Sequence, residues 1–361
     1  MPTPPLNLPR CRRLAERAIR ALDLDLTGLV VLTEAATGAY ALTAPLAALA
    51  GADRVIALTR DSRFGTAVEA SGQTIAAASA FGVKDRIEIT RDRASAAVAD
   101  ADIVTNLGFV RPLDRAMLRR LKVGAVVPLM FETWEFRHED VDLAACHEFD
   151  IAILGTNESV PALRILEYLA PVAIRLLFEC DIEVQGSDLV VLGSGPFVDA
   201  IIRGLAPLAG SVRQVEVEDL KADMAGVEKF LADADAVIVA EHRLKDRLIG
   251  AGGYLGAADL KRINPGLALV HIAGSVERED LARSGVIHAP NSDFAPPGFM
   301  TVTTAFVGPR PLLDLHAGGL KVGELLARAR LSGASREDAE RMALAASPIC
   351  QAFGSPIVAR A

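Results

Sequence analysis

The residues best placed to do chemistry in this 361-residue chain are glycines. Gly193-Ser194-Gly195-Pro196-Phe197-Val198 follows the apolar run Leu189-Val190-Val191-Leu192 and precedes a helical pattern, the context a Gly-x-Gly-x-x-Gly turn requires. Gly193 would make the tight turn, and Gly195 would let the backbone approach a pyrophosphate. The helix N-terminus, with Pro196 and Phe197, would face its negative charge. Val198 departs from the pattern, which has Gly or Ala there for close helix packing. The next strand supplies Glu216 and Glu218, and a carboxylate at that strand end accepts the ribose 2′-hydroxyl and repels a 2′-phosphate. The cofactor this predicts is NAD. Aligning the two halves of the chain on their glycines places Glu218, rather than Glu216, at the strand end. The alternative is that Gly193 and Gly195 only close a strand-to-helix turn.

Ligands of parallel sheets meet the carboxyl ends of strands, so polar residues there carry the remaining candidates. In the second half these are Glu241, His242 and His271, with Ala273 closing the fifth strand. The first half lacks the glycine motif and reads Thr33-Glu-Ala-Ala-Thr-Gly38 in its place. Its substrate-binding candidates are Thr37, Arg60, Arg63, Asn106, Arg137, Asn157 and Glu158. Forked arginine donors match a carboxylate or phosphate; the alternative for Arg60 and Arg63 is solvated loop charge. Glu132, near Glu135, Arg137 and the only Trp, Trp134, is a candidate acid or base, because a carboxylate beside an apolar ring has a raised pKa. Thr156 and Asn157 also read as N-caps before Glu158.

The elements that must position these residues come in two similar sets. Leu29-Val-Val-Leu32 returns as Leu189-Val-Val-Leu192, and Leu46-Ala-Ala-Leu-Ala-Gly51 as Leu205-Ala-Pro-Leu-Ala-Gly210. Asp100-Ala-Asp-Ile-Val104 returns as Asp233-Ala-Asp-Ala-Val237, and Leu121-Lys-Val-Gly124 as Ile263-Asn-Pro-Gly266. Each set reads as a buried strand, a helix closed by Gly, a strand entered from an acidic turn, and a further strand. The fold class is therefore α/β, with two Rossmann-like doubly wound parallel sheets and a cleft between them. The expected domains are a substrate domain over 1–157, a dinucleotide-binding domain over 158–310, and C-terminal helices over 311–361 that return to the first domain. The pattern from Glu158 to Glu179 predicts one long connecting helix. The tail predicts helices and no strand.

Composition narrows the partners. A net charge of −8 and a pI near 5.4 give no basic footprint for nucleic acid or an anionic membrane. With 51% hydrophobic residues and a mean hydropathy of +0.31 the chain is globular, and no apolar run reaches a spanning length. Cytoplasm is the expected compartment and a small molecule the expected partner. Four dispersed cysteines and six histidines without metal-ligand spacing predict buried thiols and no metal.

Two Rossmann-like halves, a connecting helix, a cofactor turn in the second half and a returning tail resemble the formate/glycerate and D-2-hydroxyacid dehydrogenase superfamily, with S-adenosylhomocysteine hydrolase similar in architecture. The resemblance implies NAD-dependent oxidation or reduction of a small polar, anionic substrate and, by analogy, a homodimer. The family's Pro-His-Ile-Gly-Gly, whose His handles the substrate hydroxyl proton, looks like Leu315-His316-Ala317-Gly318-Gly319, so the resemblance makes His316 the acid or base. Its carboxylate partner has Asp293 as the nearest match. The family's Asn-x-Ala-Arg-Gly reads His271-Ile-Ala-Gly-Ser275 here, without the arginine. Two rival expectations follow: an enzyme that uses a nucleotide without net redox, such as a hydrolase or an adenosyl-donor transferase, and a non-catalytic NAD- or nucleotide-binding regulator.

Overall fold

The computed structural model describes residues 5–354. Its strands in chain order are β1 (Val30–Glu34), β2 (Arg54–Leu58), β3 (Ile87–Thr90), β4 (Ile103–Val104), β5 (Val126–Pro128), β6 (Ala152–Thr156), β7 (Asp188–Leu192), β8 (Ser211–Val215), β9 (Ala236–Ala240), β10 (Arg247–Ile249), β11 (Ala268–Ala273), β12 (Ser275–Val276), β13 (His288–Ala289) and β14 (Cys350–Gln351). The fold is α/β, with two separate compact units each built on its own mostly parallel sheet. The units divide after Arg164 and before Gly308, rather than at 157 and 310.

The first unit holds the described residues up to Arg164 and those from Gly308 onward. Its sheet runs β14-β6-β5-β4-β1-β2-β3, so the order reverses direction between β1 and β4. All pairings are parallel except that of β14 with β6. Val31, Leu32, Val55, Ile56, Ile103 and Val126 are fully buried, as strands covered on both faces require. The helix Ala67–Phe81 starts in a capping box, with Thr66 Oγ1 accepting from Glu69 N–H (3.2 Å) and Glu69 Oε2 from Thr66 N–H (2.7 Å).

The tail contributes a single 23-residue helix, Pro309–Leu331, then Arg336–Ala346 and the strand β14. That strand corrects the expectation of helices alone. The long helix approaches the sheet through glycines: a Cβ on Gly323 would lie 2.8 Å from Ile103 Cγ2, and one on Gly318 2.9 Å from Leu163 Cδ1. Close contact of backbone with sheet is what these positions need glycine for.

The second unit, Ile165–Val307, has a parallel sheet in the order β13-β11-β9-β7-β8, which reverses between β7 and β9. Every residue of β9 and β11 is buried. The connecting helix is shorter than the sequence pattern predicts. A 3-10 turn, Ile165–Tyr168, leads into the helix Leu169–Glu179, while residues 157–164 form turns in the first unit. Asn157 explains this: its N–H donates to Ile349 O (2.8 Å) and its Nδ2 to Pro348 O (3.1 Å), tying it to the tail instead of capping a helix.

Among the described residues no helix is long and apolar enough to cross a membrane. The four cysteines are free and buried.

Candidate functional site

The glycine turn lies where the second unit's sheet order reverses. Gly193 directly follows β7, with φ +133°, and a Cβ there would lie 2.9 Å from Glu241 N and 3.1 Å from the Ala240 carbonyl carbon at the end of β9. Gly195, φ +81°, is the N-cap of the helix Pro196–Leu205, in a backbone region L side chains rarely adopt. Pro196 occupies the helix's first turn, where a proline is well tolerated. Val198 is fully buried. The close helix contact that the motif's third glycine serves is made further along, where a Cβ on Gly204 would collide with Ala170 of the helix Leu169–Glu179.

Glu241 fastens this turn. Fully buried, its Oε2 accepts from the Ser194 N–H and hydroxyl (3.1 Å each), and its Oε1 from the N–H groups of Arg243 (2.8 Å) and Leu244 (3.1 Å). One carboxylate therefore joins the ends of β7 and β9 across the reversal. His242 stacks on Phe197 with centroids 4.2 Å apart, and burial pushes its pKa down to about 4, so the ring is neutral and acts as an apolar wall. At the end of β8 it is Glu216 that follows the strand, N-capping the helix Val217–Ala222; Glu218 lies in that helix's first turn. Glu216 and not Glu218 therefore stands at the strand end. The strand ends at Val215, two residues earlier than its apolar alternation suggests, because Asp219 accepts the Glu216 N–H (2.8 Å) and starts a helix.

At the corresponding reversal of the first unit a carboxylate takes the place of glycines. Glu34, which ends β1, accepts the Phe109 N–H (2.9 Å), and burial raises its pKa to about 7 against the opposing pull of Phe109 N–H, Arg111 and Arg60. Arg60 donates to Gly108 O (3.1 Å) and lies 5.6 Å over the Phe109 ring. Arg111 pairs with Asp140 (2.6 Å). The neighbouring Asn106 is fully buried; its Oδ1 accepts the Met130 N–H (2.9 Å) and its Nδ2 has no partner among the described residues. Arg63 stands apart, exposed and stacked over Phe64 at 4.7 Å. Thr37 donates to Phe64 O (3.2 Å), anchoring the turn.

Beyond β5 and β6 the chain collects three carboxylates. Glu132 accepts the Trp134 indole N–H and the Glu158 N–H (3.1 Å), yet burial still raises its pKa. Glu135 is raised to about 7 by burial and then by Glu132, with Arg137 opposing. Glu158 is raised well above the usual carboxylate range by burial and by both neighbours. Like charges sharing a desolvated site cannot all ionise, so the group holds protons near neutral pH. Arg137 also pairs with Asp140 (3.2 Å).

The tail histidine does not occupy a loop. His316 lies inside the helix Pro309–Leu331, 3% exposed. Its Nδ1 is 2.8 Å from Thr43 Oγ1, and since that hydroxyl donates to Tyr40 O (3.2 Å), the imidazole Nδ1–H donates to Thr43. Burial pushes its pKa down to about 3. Asp293 belongs to the second unit, where its carboxylate is 98% exposed and 3.8 Å from Arg278. The Gly-Gly that made the segment resemble a catalytic loop serves helix-to-sheet packing instead. His271 is likewise structural. Its Nε2–H donates to Gly274 O (3.0 Å), its Nδ1 accepts from Thr301 (2.8 Å), and its ring stacks on Phe294 at 4.1 Å. Ala273, fully buried, ends β11.

Two residues escaped the sequence reading. Arg111 gives no local signal, since only the fold brings it to Glu34. Arg243 had one: it follows Glu241-His242 at a strand end that faces the glycine turn.

No protein-family model and no curated protein matches the sequence. Among solved structures the chain is similar to a dipicolinate synthase from Bacillus subtilis, with 13% identity and a TM-score of 0.52 over 86% of this chain and 99% of that one. The dipicolinate synthase of Bacillus halodurans gives 13% identity and a TM-score of 0.50 over 81% and 96%. An NAD-dependent formate dehydrogenase from Staphylococcus aureus, in complex with NAD, is more distant, with 13% identity and a TM-score of 0.37 over 78% and 96%. These likenesses establish a fold, not a chemistry: the chain shares the α/β fold of the two dipicolinate synthases, with two Rossmann-like units.

Proposed function

We propose that the Ile165–Val307 unit binds NAD and that the chain is an NAD-dependent oxidoreductase acting on a small polar, anionic substrate. The observation that carries the reading is the placement of Gly193 and Gly195, both at positive φ, at the sheet reversal and at a helix N-terminus. The residues present fit the cofactor. A Cβ at Gly193 would press on the Glu241 backbone and one at Gly195 on the Arg243 guanidinium, so the tight turn needs both glycines, and Glu216 at the β8 end suits a ribose 2′-hydroxyl while repelling a 2′-phosphate. When bound, the nicotinamide would supply hydride exchange.

The protein's own share is binding and proton handling. Arg60 and the Asn106 amide, at strand ends of the first unit, are suited to a substrate anion, with Thr37, Asn157 and Arg137 shaping the surrounding loops. For acid–base work the carboxylate group of Glu132, Glu135 and Glu158 replaces His316, because Glu135, near 7, exchanges a proton at neutral pH and an imidazole near 3 does not. A binding-only reading is favoured by one observation, the structural role of His316. Mass and ultraviolet spectra of ligand released from purified protein test the cofactor: NAD supports the proposal, and an adenosyl thioether overturns it. Reduced nicotinamide absorbance across a panel of small 2-hydroxy acids separates enzyme from binding protein.

A further inference from the structure

The glycine turn is short of backbone donors. Of residues 193–198, Gly193 N–H donates to Val215 O (2.9 Å), Ser194 N–H is taken by Glu241, and Pro196 has none. Half of the turn therefore has no N–H to offer an incoming anion, whereas such turns ordinarily bind phosphate through their backbone. A cation stands in the same place. A Cβ on Gly195 would fall on the Arg243 guanidinium, 2.9 Å from its Cζ and 3.3 Å from its Nε. Arg243 is exposed and makes no ion pair among the described residues. Its backbone is held by the same Glu241 carboxylate that holds Ser194, so the turn and the arginine are positioned as one assembly.

We propose that Arg243 is the diphosphate clamp of this site, supplying in side-chain form the donors that Glu241 and Pro196 remove from the turn. This inference rests on the reading of the turn as a nucleotide site, and it extends that reading by locating the charge that recognises the ligand. A guanidinium presents paired N–H donors that match two phosphate oxygens, and it keeps its charge at any working pH. The absence of a side chain at 195 gives it room to lie against the turn. Because the clamp is an exposed cation and not buried N–H groups, affinity should fall steeply with salt.

The test uses ADP and adenosine as probes, titrated calorimetrically into the full-length protein and into Arg243→Ala and Arg243→Lys. Arg243→Ala should weaken ADP binding about 10- to 100-fold, the range for a charged hydrogen-bonded contact, and leave adenosine unchanged. It should also flatten the salt dependence, and Arg243→Lys should restore part of the affinity. A merely structural role would move adenosine and ADP together. Equal ADP affinity in wild type and Arg243→Ala, or wild-type protein that prefers adenosine to ADP, overturns the clamp. ADP bound through Arg243 without any NAD binding would leave the clamp standing and refute the NAD proposal. NAD bound equally well by Arg243→Ala would do the reverse.

Discussion

His316 offers a direct way to separate a structural histidine from a catalytic one. Its imidazole is 3% exposed, donates to Thr43 and has its pKa lowered by burial from 6.5 to about 3. Because the folded-state pKa is depressed, the unfolded chain binds the proton more readily. The stability due to neutral His316 is thus complete above about pH 6.5 and is lost as pH falls toward the folded value. Each pH unit in that window costs about 1.4 kcal/mol, so between about pH 6.5 and pH 4.5 the group removes about 3 kcal/mol. Urea unfolding followed by Trp134 fluorescence reads this cleanly, because the chain's single tryptophan and His316 belong to the same unit. His316→Gln, which cannot titrate, should lower stability at neutral pH by roughly 1–3 kcal/mol and lose about 3 kcal/mol less than wild type on acidification. Parallel pH curves for the two proteins would mean that the imidazole protonates equally well in the folded state and is not held neutral by burial.

Glu34 should act with the opposite sign. Its folded pKa is raised to about 7, so its contribution is complete below about pH 4.5 and declines by about 3 kcal/mol as pH rises through 7. Glu34→Gln should gain stability relative to wild type over that interval, measured by the same fluorescence, and an unchanged difference would contradict the burial argument. At the ribose position, Glu216→Ala should reduce discrimination against NADP while Glu218→Ala leaves it intact; binding titrations with both cofactors decide, and a shift in Glu218→Ala alone would restore the other residue. If the carboxylate group handles the substrate proton, turnover should depend on a group near 7, and Glu135→Gln should lower it about 10²- to 10⁴-fold and remove that limb of the pH profile. A full-activity Glu135→Gln variant would exclude that role.

The two sheets were legible because their central strands hold short apolar runs bounded by acidic turns and glycines. Leu189–Leu192 and Ala236–Ala240 announce buried parallel strands with little competition from other readings. Boundaries set by tertiary contact were not legible. The connecting helix begins at Leu169 because Asn157 bonds to the tail, a partner almost two hundred residues away in sequence. The short strand β14 exists only because β6 leaves an edge for it.

At the site, the glycine turn was visible from local spacing, but Glu241 and Arg243, neighbours in sequence, reach Ser194 and Gly195 only across the sheet. His316 misled because Ala-Gly-Gly fits two physical needs. A loop near a ligand and a helix lying close on a sheet both favour small residues, and the segment's helical continuation to Leu331 is what decides between them.

Calorimetric titration of NAD into wild-type protein and Gly195→Val tests whether NAD binds at the glycine turn of the second unit, as proposed. A valine at 195 would have to adopt φ +81° and would push its Cβ into the exposed Arg243 guanidinium, at a half-buried position outside the strands. NAD should bind wild type saturably and the variant at least about tenfold more weakly, or about 1.4 kcal/mol, with the unfolding transition little changed. Equal NAD affinity in the two proteins, or no binding to wild type, would contradict binding at the turn.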